Sequence, residues 1–275
     1  MTTAGPDRAR QPAVFIPHGG GPCFFMEWDP PGTWDKMAAW LKDFGAAISA
    51  GRPRALLVIS SHWEEDEFTV QTNPHPALIY DYSGFPPETY QIKFPAPGDP
   101  QVAQEVQDAL KAAGIPCRAD ATRGYDHGVF IPLKVAFPKA DIPIVQLSLK
   151  KGLNPAEHLA AGRALAGLRD KGVAIIGSGM SYHNMRDFFS GGDALGPSKA
   201  FDDWLTAAAT NPDAAARDAA LAGWTQAPDA RRAHPREEHL ISLLVVAGAA
   251  GADTGRHALS DTVMGTVVSA YSYGL

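Results

Sequence analysis

The chain alternates short, wholly apolar runs with longer segments in which apolar positions recur every three or four residues, and this predicts strands and helices in turn. Ala13-Val14-Phe15-Ile16 reads as a buried strand, ended at Pro17-His18-Gly19-Gly20-Gly21-Pro22, where proline and glycine forbid continuation. A helical period follows from Trp34 to Ile48. Ala55 to Ser60 is a second apolar run, stopping at Ser61-His62-Trp63. Phe68 to Gln71 is a further short strand, and Asn73 to Pro100, rich in proline, glycine and tyrosine, reads as a long ordered loop.

Beyond the loop, Pro100 to Ala113 is amphipathic and closed by Gly114, and Ile142 to Leu147 is again strand-like. Asn154 is placed to cap a helix whose first turn accepts Pro155 and which Gly172 ends. Val173 to Ile176 then runs into Gly177-Ser178-Gly179. Helical patterns at Phe201 to Thr210, Ala214 to Trp224 and Arg236 to Ala250 precede a last strand at Met264 to Ala270. The alternation predicts an α/β fold with a largely parallel or mixed central sheet and helices on both faces. Ligands in such folds gather beyond the carboxyl ends of the strands.

Length and composition add bounds. At 275 residues and 45% hydrophobic, the chain can enclose one substantial core, so a single catalytic domain over residues 1–275 is expected, with 1–11 as a flexible extension. A formal net charge of -6 and the lack of basic runs oppose nucleic-acid binding. The first residues carry no apolar signal region and no stretch is long enough to span a membrane, so a cytoplasmic address is expected. With only Cys23 and Cys117, a disulfide framework or a thiolate-rich zinc site is not available, and any metal must use His, Asp or Glu. Cys23, close to Gly19, is weighed as a reactive thiol against ordinary packing.

The nine histidines are therefore the chemistry to place. His18, His62 and His183 each follow a buried strand, which sets them along one rim of a parallel sheet, and neutral imidazole is the commonest metal ligand. His239 opens an apolar helical run next to Glu238, and spacing alone leaves either side chain as a further ligand. His127, in Gly124-Tyr125-Asp126-His127-Gly128, is either an exposed loop residue or, beside a metal, a proton-exchanging group. His75 is read at a substrate entrance, His158 and His257 facing solvent, and His234 as a helix cap; none is assigned a metal.

The ordered motifs HGGGP at His18, SSHW ending at Trp63, GFPPETY at Gly84, FPAPG at Phe94, YDHG at Tyr125, GSGMSYHN at Gly177 and EEHL at Glu238 resemble the DOPA-dioxygenase-type branch of the class III extradiol ring-cleavage dioxygenases, within the LigB-like superfamily. The resemblance spans nearly the whole chain, and departs from the branch's HGSP at the first motif. It implies cleavage of a catechol-type ring with dioxygen at a non-haem metal, Fe(II) for activity and Zn(II) as isolated. His18, His62 and His239 are then the metal ligands, and His127 is an acid-base group. His183 is either a further ligand of a resting metal or an acid-base group near dioxygen. Tyr125 and Gly19 are implied at the substrate, with Tyr80, Tyr82 and Phe85 as aromatic walls. The implied partners are a small aromatic diol and O2.

Two other readings use the same residues. Gly179-Met180-Ser181-Tyr182-His183 imitates the nucleophile elbow of a serine hydrolase, although His183 stands where the elbow needs glycine, and a zinc hydrolase would use the same rim. A non-enzymatic binding protein of the Memo type shares the superfamily resemblance.

Overall fold

The structure, a computed structural model, describes residues 9–189 and 193–275. Its core is one mixed eight-stranded sheet: β1 (Ala13–Pro17), β2 (Ala55–Glu65), β3 (Phe68–Gln71), β4 (Cys117–Asp120), β5 (Ile144–Lys150), β6 (Val173–Gly179), β7 (Gly255–Val263) and β8 (Thr266–Tyr273). They lie in the order β4-β3-β5-β2-β6-β1-β8-β7. The central strands β5, β2, β6 and β1 run parallel, and antiparallel pairings flank them at β3 and β8. The central strands are buried almost without interruption because helices cover both faces, which explains their continuous apolar runs.

The helices among the described residues are α1 (Asp35–Ala50), α2 (Pro100–Ala112), α3 (His127–Ala136), α4 (Pro155–Leu165), α5 (Met185–Phe189), α6 (Leu195–Ala209), α7 (Ala214–Ala222), α8 (Ala230–Ala233) and α9 (Glu238–Ala250). Asn154 caps α4 as expected, and Asp99 does the same for α2: each accepts two backbone N–H groups in a first turn that opens with proline. α9 is apolar all round because it is wedged between α4 and the sheet. Period-two alternation in β6 lets this happen. A Cβ on Gly177 would lie 2.6 Å from the Ser242 carbonyl oxygen, and one on Gly179 2.1 Å from that of His239, while Ser178 between them donates to the Gly128 carbonyl of α3 on the opposite face.

Several expectations need correction. β2 does not stop before Ser61 but continues to Glu65, because its pairing with β5 resumes at Glu64 after an irregular stretch beyond Ile59. His127, read as an exposed loop residue or a proton-exchanging group, begins α3, a helix disguised in sequence by Gly128 and Pro132. β4 and β7 were not expected; both are edge strands with polar outward positions. Residues 1–8 of the expected extension lie outside the described residues, and Gln11 is buried, its N–H donating to the Arg169 carbonyl.

His158 and His234 are core residues: His158 does not face solvent, and His234 caps not the Arg236–Ala250 run but the end of α8, where its backbone N–H donates to the Ala230 carbonyl. His158 accepts the Lys150 N–H at 3.1 Å and faces the Asn154 carbonyl; His234 donates to the Ser181 carbonyl at 2.9 Å. Burial lowers them to about 4 and about 3 respectively. Their depressed folded-state values favour the folded protein above the ordinary imidazole range, and that contribution is lost as pH falls below about 6.5. Stability measured by urea unfolding should therefore drop between pH 7.5 and 5 by roughly 2 kcal/mol for each of the two. His158→Gln should flatten that drop by its own share, and an unchanged slope would show that His158 does not contribute.

Candidate metal centre

Residues far apart in sequence meet at the carboxyl end of the parallel strands. His18 follows β1 directly and its backbone N–H donates to the Gly179 carbonyl, so the β1–β6 register continues into the turn. The turn needs glycine at position 19, where φ is +81° and a Cβ would stand 2.4 Å from Cys23 Sγ. Cys23 itself is packing: it is 2% exposed and burial raises its thiol far above the ordinary range, so it is not a reactive thiolate. His62 projects from the irregular stretch of β2, and its N–H rests on Ser60 Oγ. His239 stands in the first turn of α9, brought to the site by the close approach that Gly179 permits.

The ligand atoms of His18, His62 and His239 all lie within 4.8 Å of one another. His18 Nδ1 is 2.7 Å from the Gly19 carbonyl, which fixes its proton there and leaves Nε2 as a lone pair. That Nε2 is 3.2 Å from Nε2 of His62. Two nitrogens each about 2.0–2.1 Å from one cation at a near-tetrahedral angle stand about 3.3 Å apart. His239 donates Nδ1–H to Glu238 at 2.9 Å, and its Nε2 is buried with no protein partner. A carboxylate-bound imidazole with an orphaned opposite nitrogen is the arrangement that metal-binding histidines show, and it makes Glu238 the support of His239. Burial first, then repulsion among neighbouring imidazoles, holds all three well below the ordinary histidine range, so at neutral pH they are uncharged donors. The residues present thus fit a cation held by three nitrogens.

His183 and His127 flank this trio. The His183 ring stacks on that of His239 at 3.5 Å and 11°, and its Nδ1 is 3.9 Å from Glu238; it groups with Glu238 and His239, apart from His18 and His62. Burial brings it down to about 4. His127 is not on an exposed loop: it begins α3, is 7% exposed, and its ring centre lies 3.9 Å from that of His62. Its backbone N–H and its Nδ1 both approach Asp81 Oδ1 at 2.9 Å. Asp81 was missed in the sequence, where it is one acid in a long loop; its place between tyrosines in a segment too aromatic for a solvated loop was the available signal.

A cavity of about 270 Å³ opens over the histidines. Its floor holds His18, His62, His127, His183 and His239, the glycine turn at 19–21 forms one side, and Trp34, Tyr82, Phe85 and Phe188 supply aromatic walls. Gly19, Tyr82 and Phe85 line this cavity. Tyr125 does not: it is fully buried, is absent from the lining, and donates to the Ile144 carbonyl at 2.8 Å. Tyr80 is absent from the lining and donates to the Ile92 carbonyl. His75 and His257 are exposed and outside the cavity. Ser181 is 2% exposed and accepts the Ser269 N–H at 2.7 Å, so its hydroxyl is not presented as a nucleophile. None of the described helices is long and apolar enough to cross a membrane.

Comparison with known proteins agrees with this architecture. Dioxygenase tasH of Hapsidospora irregularis is 36% identical over 96% of this chain and 85% of its own length. A protein of Beta vulgaris named 4,5-DOPA dioxygenase extradiol is 39% identical over 85% of this chain and 87% of its own. One of the same name from Escherichia coli is 33% identical over 87% and 85%. A crystal structure of an uncharacterized Escherichia coli protein superposes with a TM-score of 0.76 at 29% identity, covering 96% of this chain and all of that one. Residues 12–275 match the model of the catalytic LigB subunit of aromatic ring-opening dioxygenase, and the chain belongs to that family.

Proposed function

We propose that the protein is an extradiol dioxygenase that opens the ring of a catechol-type substrate with dioxygen at a non-haem metal held by His18, His62 and His239. One observation carries this: three neutral imidazoles converge on the floor of an aromatic-walled cavity, with two further histidines, His127 and His183, beside them in its lining. Three protein ligands leave positions for both diol oxygens and for dioxygen, the number that ring cleavage uses.

A bound divalent cation, Fe(II) for turnover and Zn(II) as an alternative occupant, would acidify a catechol hydroxyl and, as iron, link ring and dioxygen electronically. The chain's own residues do the rest. Tyr82, Phe85 and Trp34 receive a flat ring and exclude water. At about 270 Å³ the cavity falls just under the roughly 300–1,000 Å³ usual for ligand pockets, which suits a substrate of one ring. His127 takes the hydroxyl proton, and His183, across the trio and stacked on His239, is the acid-base group on the oxygen side. Glu238 keeps His239 oriented throughout.

Anaerobic loading with Fe(II) followed by an oxygen-electrode screen of DOPA, caffeate, protocatechuate and gallate tests this function. Oxygen consumption with the yellow absorbance of a ring-opened semialdehyde is expected for at least one of them. A metal-loaded protein that consumes oxygen with none would overturn the proposal.

A further inference from the structure

We propose that Asp81 is a positioning residue for His127, fixing which ring nitrogen carries the proton and how the ring faces the cavity. The inference rests on the dioxygenase reading for its kinetic arm alone. It starts from backbone. Gly124 lies so close to the preceding loop that a Cβ there would stand 2.2 Å from the Ala77 carbonyl. The close approach allows a short parallel bridge, with Tyr125 N–H donating to Ala77 and Ile79 N–H donating to Tyr125, each at 2.8 Å. That bridge sets the register in which Asp81 meets His127. The residues on either side of Asp81 are tied down by their hydroxyls, Tyr80 to the Ile92 carbonyl and Tyr82 to the Thr89 carbonyl.

Asp81 Oδ1 then accepts from both the backbone N–H and the Nδ1–H of His127. Two donors of one residue on one oxygen define the ring's rotation as well as its tautomer, and leave Nε2 as the acceptor. Burial works to raise Asp81, and the N–H contacts from His127 outweigh it, holding the carboxyl below the ordinary carboxylate range. Asp81 thus faces the Nδ1 side of the ring as a carboxylate and sets its rotation and tautomer, in the manner of the acid behind a catalytic histidine. His62, Asp81 and His127 could alternatively be ligands of a second cation, since their donor atoms also lie within 4.8 Å of one another. Occupation of Asp81 Oδ1 by two N–H donors, and the convergence of His62 on His18, favour the positioning role.

Zinc-loaded protein labelled with ¹⁵N-histidine reports the tautomer by NMR without turnover. His127 is expected as the Nδ1–H form in the wild type and in Asp81→Asn, whose amide oxygen can still accept both donors, and to lose that form in Asp81→Ala. In the Fe(II) protein, Asp81→Ala should lower kcat by about 10- to 100-fold with KM within about threefold and metal per chain unchanged, and Asp81→Asn should recover part of that loss. An unaltered His127 tautomer in Asp81→Ala, a loss of bound metal, or a rise in KM with kcat intact would each overturn the proposal. If the wild type consumes no oxygen with any catechol, the dioxygenase reading fails, while the tautomer arm still decides the role of Asp81.

Discussion

Replacing His62 with alanine should strip the protein of its metal. The wild type is expected to hold close to one cation per chain after dialysis, and His62→Ala to retain less than about a hundredth of that, a loss exceeding the 10- to 100-fold that removal of a mere supporting group causes. His62 is the cleanest of the three to test. His18 and His239 are 2% and 4% exposed and anchor a turn and a helix start, so their removal also costs packing, whereas His62 is half-buried on an irregular stretch of β2 that no neighbouring strand pairs. Truncation there should change the unfolding free energy by no more than about 1 kcal/mol. Metal content by mass spectrometry, read with a thermal melt of the metal-free forms, separates lost coordination from lost folding. Full metal retention in His62→Ala would remove the proposed trio.

His127→Ala should do the opposite: keep its metal and lose its turnover. The ring lies against His62, yet its Nδ1 is engaged by Asp81 and it stands outside the His18, His62, His239 group. A group that moves a proton in the rate-limiting region is worth about 10²- to 10⁴-fold, and kcat should fall by that factor with KM changed far less. Metal content and kcat measured on the same preparation decide it. Equal metal loss in His62→Ala and His127→Ala would mean that the division between binding and proton transfer is wrong.

Much of this site was legible before the structure because its residues sit where chain direction changes. His18 was placed correctly past β1 since proline and glycine end that strand visibly, and His239 since an apolar helical run begins beside it. His62 was found for an imperfect reason. Polar Ser61 and aromatic Trp63 resemble a strand exit, but β2 runs on, and it is a lapse in pairing with β5 that releases the imidazole. α3 is hard to read because Gly128 and Pro132 interrupt it and all of its residues but Lys134 and Val135 are buried, which erases helical periodicity. Tyr125 illustrates the limit of motif reading: the motif marks a site, but sequence does not say which of its side chains turns inward, and this one turns to the core. Asp81 and the buried His158 and His234 depend on contacts between distant segments, which spacing along the chain does not encode.

Under the proposed function, both atoms of dioxygen enter a ring broken at this centre. It is tested most directly by a single turnover of the Fe(II) protein with a catechol under ¹⁸O2, quenched with borohydride so that the aldehyde oxygen cannot exchange, and read by mass spectrometry. Extradiol cleavage at the histidine centre gives a ring-opened product carrying two ¹⁸O atoms. A product carrying one ¹⁸O or none, or an intact ring, would contradict it.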